Sequence, residues 1–261
     1  MIYKEQMVSI LLPICNAEQF LTETIESILN QTYQNLEIIA IDDASKDNSY
    51  QILKSFAKKD KRLKIHRNIK RYGLAVCLNR LAKLARGQFI AFTNAQDVSS
   101  LHRIKRQVNF LTQNQKTVVA VGTQTTLIDE MSRRKERTAF PTDFKELYHS
   151  LVAGKALQFE SFMINRRFLP KDILKFSLTR YPFIFKAMII RLSNYGKIAN
   201  IDQHLYYHRV LNINPNTQTK KIAEALTHTS FWLKSITVYD YRPSIRAILA
   251  PFFTPVKTIF D

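Results

Sequence analysis

Three short polar runs carry the residue types that could hold a ligand. Asp42-Asp43 closes an apolar stretch at 36–41, Asn68 follows another at 63–66, and Asn94-Ala95-Gln96-Asp97 closes a third at 88–92. Carboxylate and amide oxygens in such places accept hydrogen bonds from a ligand's N–H and O–H groups, and carboxylates bind hard cations such as Mg²⁺ or Mn²⁺. An amide oxygen can coordinate such a cation but adds no charge. In the 94–97 run only Asp97 is acidic, so a single carboxylate of the chain would carry the charge of any cation there. Asp97 can equally cap the helix that follows it, together with Ser99 and Ser100, and Asp43 can serve as a turn aspartate beside Asp42 and Ser45.

The elements that would position these runs alternate. Val8-Ser9-Ile10-Leu11-Leu12-Pro13 reads as a buried strand that a proline ends. Residues 17–30 have helical spacing that puts Phe20, Leu21, Ile25, Ile28 and Leu29 on one face, with Asn16 as the expected N-cap. A strand at 36–41 follows, then a helix capped by Ser45 and running to about residue 57. A strand at 63–66, a helix at 74–85 after Gly73 with Gly87 at its C-terminal cap, and a strand at 88–92 continue the series. A helix at 101–111 and a strand at 118–122 come next. Strands alternating with amphipathic helices predict an α/β fold, a doubly wound, mainly parallel sheet flanked by helices. Ligands of such sheets sit at the carboxyl ends of the strands. Here those ends carry Pro13, Asp42-Asp43, Asn68 and the 94–97 run.

Beyond about residue 140 the pattern weakens. A helix at 147–154, a strand at 159–165, a turn leading into a helix over 166–176, an apolar helix at 183–192 and a strand at 204–211 are expected. The tail is aromatic and basic, with Phe231, Trp232, Tyr239, Tyr241, Phe252 and Phe253 among Lys234, Arg242, Arg246 and Lys257. The expected organisation is one domain over 1–215, with a ligand-holding half at about 7–112 and a second half at about 113–215, followed by a helical, aromatic-rich extension over 216–261.

Composition narrows the classes. With 46% hydrophobic and 11% aromatic residues in 261, the chain is globular and can bury a sizeable core. Five glycines and eight prolines are too few for a loop-rich all-β fold. Cys15 and Cys77 fit neither a metal nor a disulfide pattern and suit a reducing cytoplasm. The formal net charge of +18 calls for an anionic partner, whether phosphorylated substrate, anionic lipid or nucleic acid. Nucleic acid is not expected, because no RNA- or DNA-binding motif is present. The first residues read as a strand rather than a leader, and no apolar run approaches the ~18–20 residues of a membrane span. A cytoplasmic, peripheral location on the inner membrane face is expected. The basic, aromatic tail and the clusters at 58–71 and 133–137 would meet anionic lipid there.

Several of these stretches together resemble the family 2 glycosyltransferases, which have the GT-A fold. Val8-Ser9-Ile10-Leu11-Leu12-Pro13 with Asn16-Ala17-Glu18 is similar to the family's opening strand and turn. The run from Ile25 to Tyr33 with Asn35-Leu36-Glu37-Ile38-Ile39 is similar to its first helix and second strand. Ile41-Asp42-Asp43-Ala44-Ser45 resembles its aspartate-rich turn, and Gly73-Leu74 with Asn79 and the run from Ala85 to Phe92 complete the pattern. The resemblance spans roughly 7–112. It implies inverting transfer, of hexosyltransferase type, from a nucleoside-diphosphate sugar (by family default a UDP-sugar), usually with Mg²⁺ or Mn²⁺. The acceptor would be a cell-surface glycan or a lipid-linked molecule, as in polysaccharide biosynthesis. Nucleotide contacts would come from Pro13, Asp43, Asn79, Gln96 and Arg209, with Asp43 accepting from the base N–H and Arg209 gripping the diphosphate. Asp97 would hold the metal.

Two departures mark the chain. The family usually has Asp-Xaa-Asp-Asp where this sequence has Asn94-Ala95-Gln96-Asp97. Counting back from Arg191 and Gly196-Lys197, the family's acidic pair, which supplies the general base, falls on Ile184-Phe185. Neither accepts a proton, and loss of such a base removes ~10²–10⁴-fold of rate. Asp172 could replace it only with a different alignment. No catalytic residue is therefore assigned, and a second reading stands beside the first: a pseudo-glycosyltransferase that binds a sugar nucleotide or a partner. His204 and His208 would stand about 13 Å apart on a strand, too far to share one ion.

Overall fold

The computed structural model describes residues 6–151, 156–170, 172–176, 183–211, 235–237, 239 and 241–242. The described residues form a nine-stranded sheet with helices on both faces. Its parallel half is β3 (Leu63–Arg67), β2 (Leu36–Asp42), β1 (Val8–Ile14) and β4 (Phe89–Phe92), in that order. Every residue of β2 and β4 is buried, and all of β1 except Pro13, which explains their continuous apolar runs. Alternate side chains divide between two cores. Ile10, Leu12, Ile38 and Phe89 face α1 (Glu18–Leu29), α2 (Ser49–Lys59) and α4 (Arg103–Gln113), while Leu11, Ile39, Ile90 and Phe92 face α3 (Leu74–Leu84) and α6 (Phe183–Ser193).

The other half is mixed. β8 (Met163–Asn165) pairs antiparallel with β4 and with β6 (Val118–Ile128), and β9 (Lys197–Arg209) runs parallel to β6. The two-residue β5 (Val98–Ser99) closes the order against β9, and β7 (Arg134–Arg137) forms an exposed hairpin on β6. Between them, α5 (Phe144–Ser150) is capped by Asp143, which accepts from the Glu146 N–H.

Several boundaries differ from the sequence reading. Asn16 and Ser45 are not helix caps. They interlock two turns instead: the Ser45 hydroxyl accepts from the Asn16 N–H, and the Asn16 side chain accepts from the Lys46 N–H. α1 is capped across this lock, because Ser49 accepts from the Ala17 N–H and Asp47 from the Glu18 N–H. Glu18 returns the favour to the Asn48 N–H at the start of α2. Asn16 and Ala44 hold φ of 51° and 55°, left-handed backbone that non-glycine residues adopt when the surroundings enforce it. Gly87 is no C-cap either. A Cβ there would lie 2.6 Å from the Ser9 nitrogen, so the position serves close backbone approach to β1. β6 and β9 are far longer than expected, while β8 is shorter and flanked by single 3₁₀ turns, Phe159–Ser161 and Arg166–Phe168. Beyond the 3₁₀ turn, no α-helix forms among the described residues of 166–176. Of the tail, Tyr241 is buried and donates its hydroxyl to the Tyr148 carbonyl. Phe231, Trp232, Lys234, Arg246, Phe252, Phe253 and Lys257 lie outside the described residues. Among the described residues, no helix is long and apolar enough to cross a membrane.

Candidate active site

A cavity of about 360 Å³ opens at the carboxyl ends of β1, β2 and β4. Pro13 to Cys15 form its β1 wall, Asp43 the β2 side, residues 92–96 the β4 side, and Arg71, Gly73 and the first turns of α3 the rim. Glu160 and Phe185 close the wall toward the second half of the sheet. Three of the sequence-proposed nucleotide contacts, Pro13, Asp43 and Gln96, therefore share one space.

Asp43 is built into the loop that follows β3. Its carboxylate accepts from the Asn68 side-chain amide at 2.7 Å, the Tyr72 N–H at 2.9 Å and the Gly73 N–H at 2.8 Å. Burial works against the charge, but these donors outweigh it and hold the carboxyl below the usual aspartate range. Asp43 thus fixes the chain that presents Arg71 and the amino end of α3 to the cavity.

Asp97, two strands away, faces elsewhere. It is fully buried and accepts from the Tyr206 hydroxyl at 2.8 Å, from His208 Nδ1 at 3.0 Å and from the Arg209 N–H at 2.9 Å. Burial would lower the His208 pKa, but the Asp97 carboxylate beside it more than reverses that and lifts the imidazole to about 9. Arg209 does not reach the cavity. Its guanidinium donates to the carbonyls of Gln96 and Asp129, to Ser132 and to Glu23, and stacks on Phe20 at 4.3 Å. Tyr206 also accepts from the Asn94 N–H at 3.1 Å. Strand β9 thus grips the 94–97 turn by its backbone and by Asp97, leaving the half-buried Asn94 and Gln96 side chains in the cavity lining. Asn79 also lies outside the lining and exchanges two 2.8 Å hydrogen bonds with the backbone of Phe176. His204 bonds to the Thr138 carbonyl, apart from His208.

The sequence reading missed Arg71, Cys15, Cys77 and Glu160. Burial, with Asp43 nearby, pushes the Cys77 thiol up to about 12. Glu160 is 5% exposed and accepts from the Gln158 side chain at 2.6 Å. Its 3₁₀ turn sits amid apolar residues, so nothing in the local sequence pattern marked it.

The family model described as Glycosyl transferase family 2 matches residues 9–174. The chain belongs to glycosyl transferase family 2. An uncharacterized glycosyltransferase of Haemophilus influenzae is 39% identical over 108 residues, 41% of this chain and 43% of its own length. The Escherichia coli UDP-Glc:alpha-D-GlcNAc-diphosphoundecaprenol beta-1,3-glucosyltransferase WfgD is 34% identical over 110 residues, 42% of this chain and 43% of its own. The chain spans less than half the length of these curated relatives. Among solved structures, S. aureus TarS in complex with UDP superposes with a TM-score of 0.63 at 16% identity, covering 96% of this chain and 76% of that chain. The mannosyltransferase PcManGT from Pyrobaculum calidifontis, in complex with GDP-Man and Mn²⁺, gives 0.62 at 18% identity, covering 90% and 65%. The fold is GT-A.

Family 2 transferases commonly use a divalent cation, and the donor set of this family member does not fit one. Asn94 and Gln96 are neutral, both Asp97 oxygens are taken by β9, and Asp43 already accepts three N–H groups. Among the described residues no group of three His, Cys, Asp or Glu side chains could hold a metal ion. At Phe185, where the acidic pair is expected, an apolar ring lines the cavity and stacks on Phe159. Asp172 is exposed and absent from the lining.

Proposed function

We propose that the cavity binds a nucleoside-diphosphate sugar, a UDP-sugar in the first instance, and that the protein transfers the sugar with inversion to a cell-surface glycan or lipid-linked acceptor. The observation carrying this reading is the convergence of Pro13, Asp43, Asn94 and Gln96 on one cavity at the strand ends, where ligands of such sheets sit. Support comes from the relatives: WfgD is named for a UDP-Glc donor and a diphosphoundecaprenol-linked acceptor, and TarS has been solved with UDP and UDP-GlcNAc. The fixed loop at Asp43 would meet the nucleoside. Work on a lipid-linked acceptor would suit a peripheral position on the inner membrane face, which the +18 charge favours.

Inverting transfer requires a base within hydrogen-bond reach of the acceptor hydroxyl. Asp43 is committed to its loop, and Glu160 is the other carboxylate in the lining. We assign it the task of taking the acceptor's proton as the glycosidic bond forms and the nucleoside diphosphate leaves. The experiment is release of UDP from UDP-glucose or UDP-GlcNAc, with diphosphoundecaprenol-linked GlcNAc as acceptor, by the wild-type chain and by Glu160→Gln. Acceptor-dependent release in the wild type alone supports the assignment. Tight UDP binding without release would favour the second reading, a sugar-nucleotide-binding pseudo-glycosyltransferase. That reading is motivated by Phe185 occupying the expected position of the base.

A further inference from the structure

The donor set that rejects a cation is well suited to an anion. Arg71 stands exposed on the cavity rim, carried by the loop that Asp43 pins, and among the described residues it enters no ion pair. Its charge is felt across the cavity on the β1 wall: burial raises the Cys15 pKa, and Arg71 pulls it partly back. On the β4 side the Asn94 and Gln96 amides replace acids with groups that can donate N–H as well as accept. Acids at 94 and 96 would repel a diphosphate unless a cation stood between, whereas amides need no intermediary. The first turns of α3, whose amino end has no side-chain cap of its own, add partial positive charge on the same rim.

The negative charge of the opposite wall is balanced from behind. Glu160 acts electrostatically on His208, and Arg103 lies fully buried over the Tyr206 ring at 5.2 Å. Asp97 and Glu160 are thus faced by two internal cations, which leaves Asp43 and Arg71 as the remaining charged pair of the lining. A diphosphate entering beside Arg71 meets a wall that is close to neutral, on a chain of net charge +18.

We propose that this protein binds the diphosphate of its donor without a divalent cation, with the Arg71 guanidinium and the Asn94 and Gln96 amides where a metal and its acidic ligands would otherwise stand. The inference rests on the nucleotide-sugar reading of the same cavity and narrows it. A planar guanidinium offers paired N–H donors that match phosphate oxygens. Its exposed position permits it to close on the ligand from the rim.

Calorimetric titration of UDP and of GDP into the full chain, in EDTA and in MnCl₂, tests it. The expected result is binding with Kd equal within about twofold in the two buffers, and a Kd raised about tenfold or more in Arg71→Ala under EDTA. Arg71 is exposed, so Arg71→Ala should melt with the wild type, and its thermal midpoint is measured alongside. The double variant N94D/Q96D should bind UDP more tightly with Mn²⁺ than without. A wild-type requirement for Mn²⁺ overturns the inference, as does unchanged affinity in Arg71→Ala. Absence of UDP and GDP binding in both buffers overturns the donor reading itself, an outcome distinct from Mn²⁺ dependence.

Discussion

Asp43 and Asp97 follow strands that flank the same neighbour, β2 and β4 on either side of β1, yet they do opposite work. Asp43 lines the cavity and organises the loop beside it. Asp97 turns away and fastens β9 to the sheet through three donors. The residue type and the topological position are alike; the difference lies in where the donors come from. Asp43 is met by donors at Asn68, Tyr72 and Gly73, in the loop between the next strand and α3. Asp97 is met by a strand about 110 residues on, whose Tyr206, His208 and Arg209 converge on one carboxylate. An acid at a strand end is thus a candidate ligand only when no distant strand has claimed it.

Breaking the Asp97 side should have the largest effect on stability. Asp97→Ala leaves a buried imidazolium and two further donors without an acceptor, and should cost ~3–5 kcal/mol in a urea titration. The contrast between the aspartates would fail if Asp97→Ala folded as well as the wild type. Glu160→Gln probes the cavity instead. Its rate should fall by about 10²–10⁴-fold with UDP affinity nearly unchanged.

The same asymmetry sets a pH dependence. His208 is lifted from its unfolded value of 6.5 to about 9. A raised folded pKa means the stabilisation is complete below about pH 6.5 and disappears as pH rises through about 9. The loss is on the order of 3 kcal/mol, measurable as a falling urea midpoint between pH 6.5 and 9.5. Asp97→Asn should flatten that slope, and a slope that persisted would place its origin elsewhere. The smallest effect is expected at Asp43. Asp43→Ala removes hydrogen bonds to partly solvated N–H groups and should cost about 1–3 kcal/mol. It should weaken UDP binding by more than Asp97→Asn does, when both are compared at temperatures where they remain folded.

Strand-end polar runs and the β/α alternation of the first half were readable because each is local: apolar runs of strand length, helical spacing and turns of few residues. The family's motifs reinforced them over 7–112. The roles of Asp97 and Arg209 were not readable, because they depend on how β9 registers against β5 and β6, a pairing no local pattern specifies. Asn16 and Ser45 misled for a related reason. Each is a good capping residue, but the two turns bind each other more fully than either caps its own helix. Glu160 and Arg71 were invisible, one inside an apolar stretch and the other inside a basic one, and only the closing of the cavity brings them opposite each other.

In the proposed reading the nucleotide occupies the cavity at the ends of β1, β2 and β4. Cys15 lines that cavity and is half-buried, while the other cysteine, Cys77, is buried with a thiol held near 12 and should not react. The rate of N-ethylmaleimide labelling at pH 8.5, followed by intact mass with and without saturating UDP, therefore reports on one position. The expected result is a single modification at Cys15 that UDP slows by about tenfold or more, following the occupancy set by its Kd. UDP that binds by calorimetry while Cys15 reacts at an unchanged rate would place the nucleotide elsewhere and contradict it.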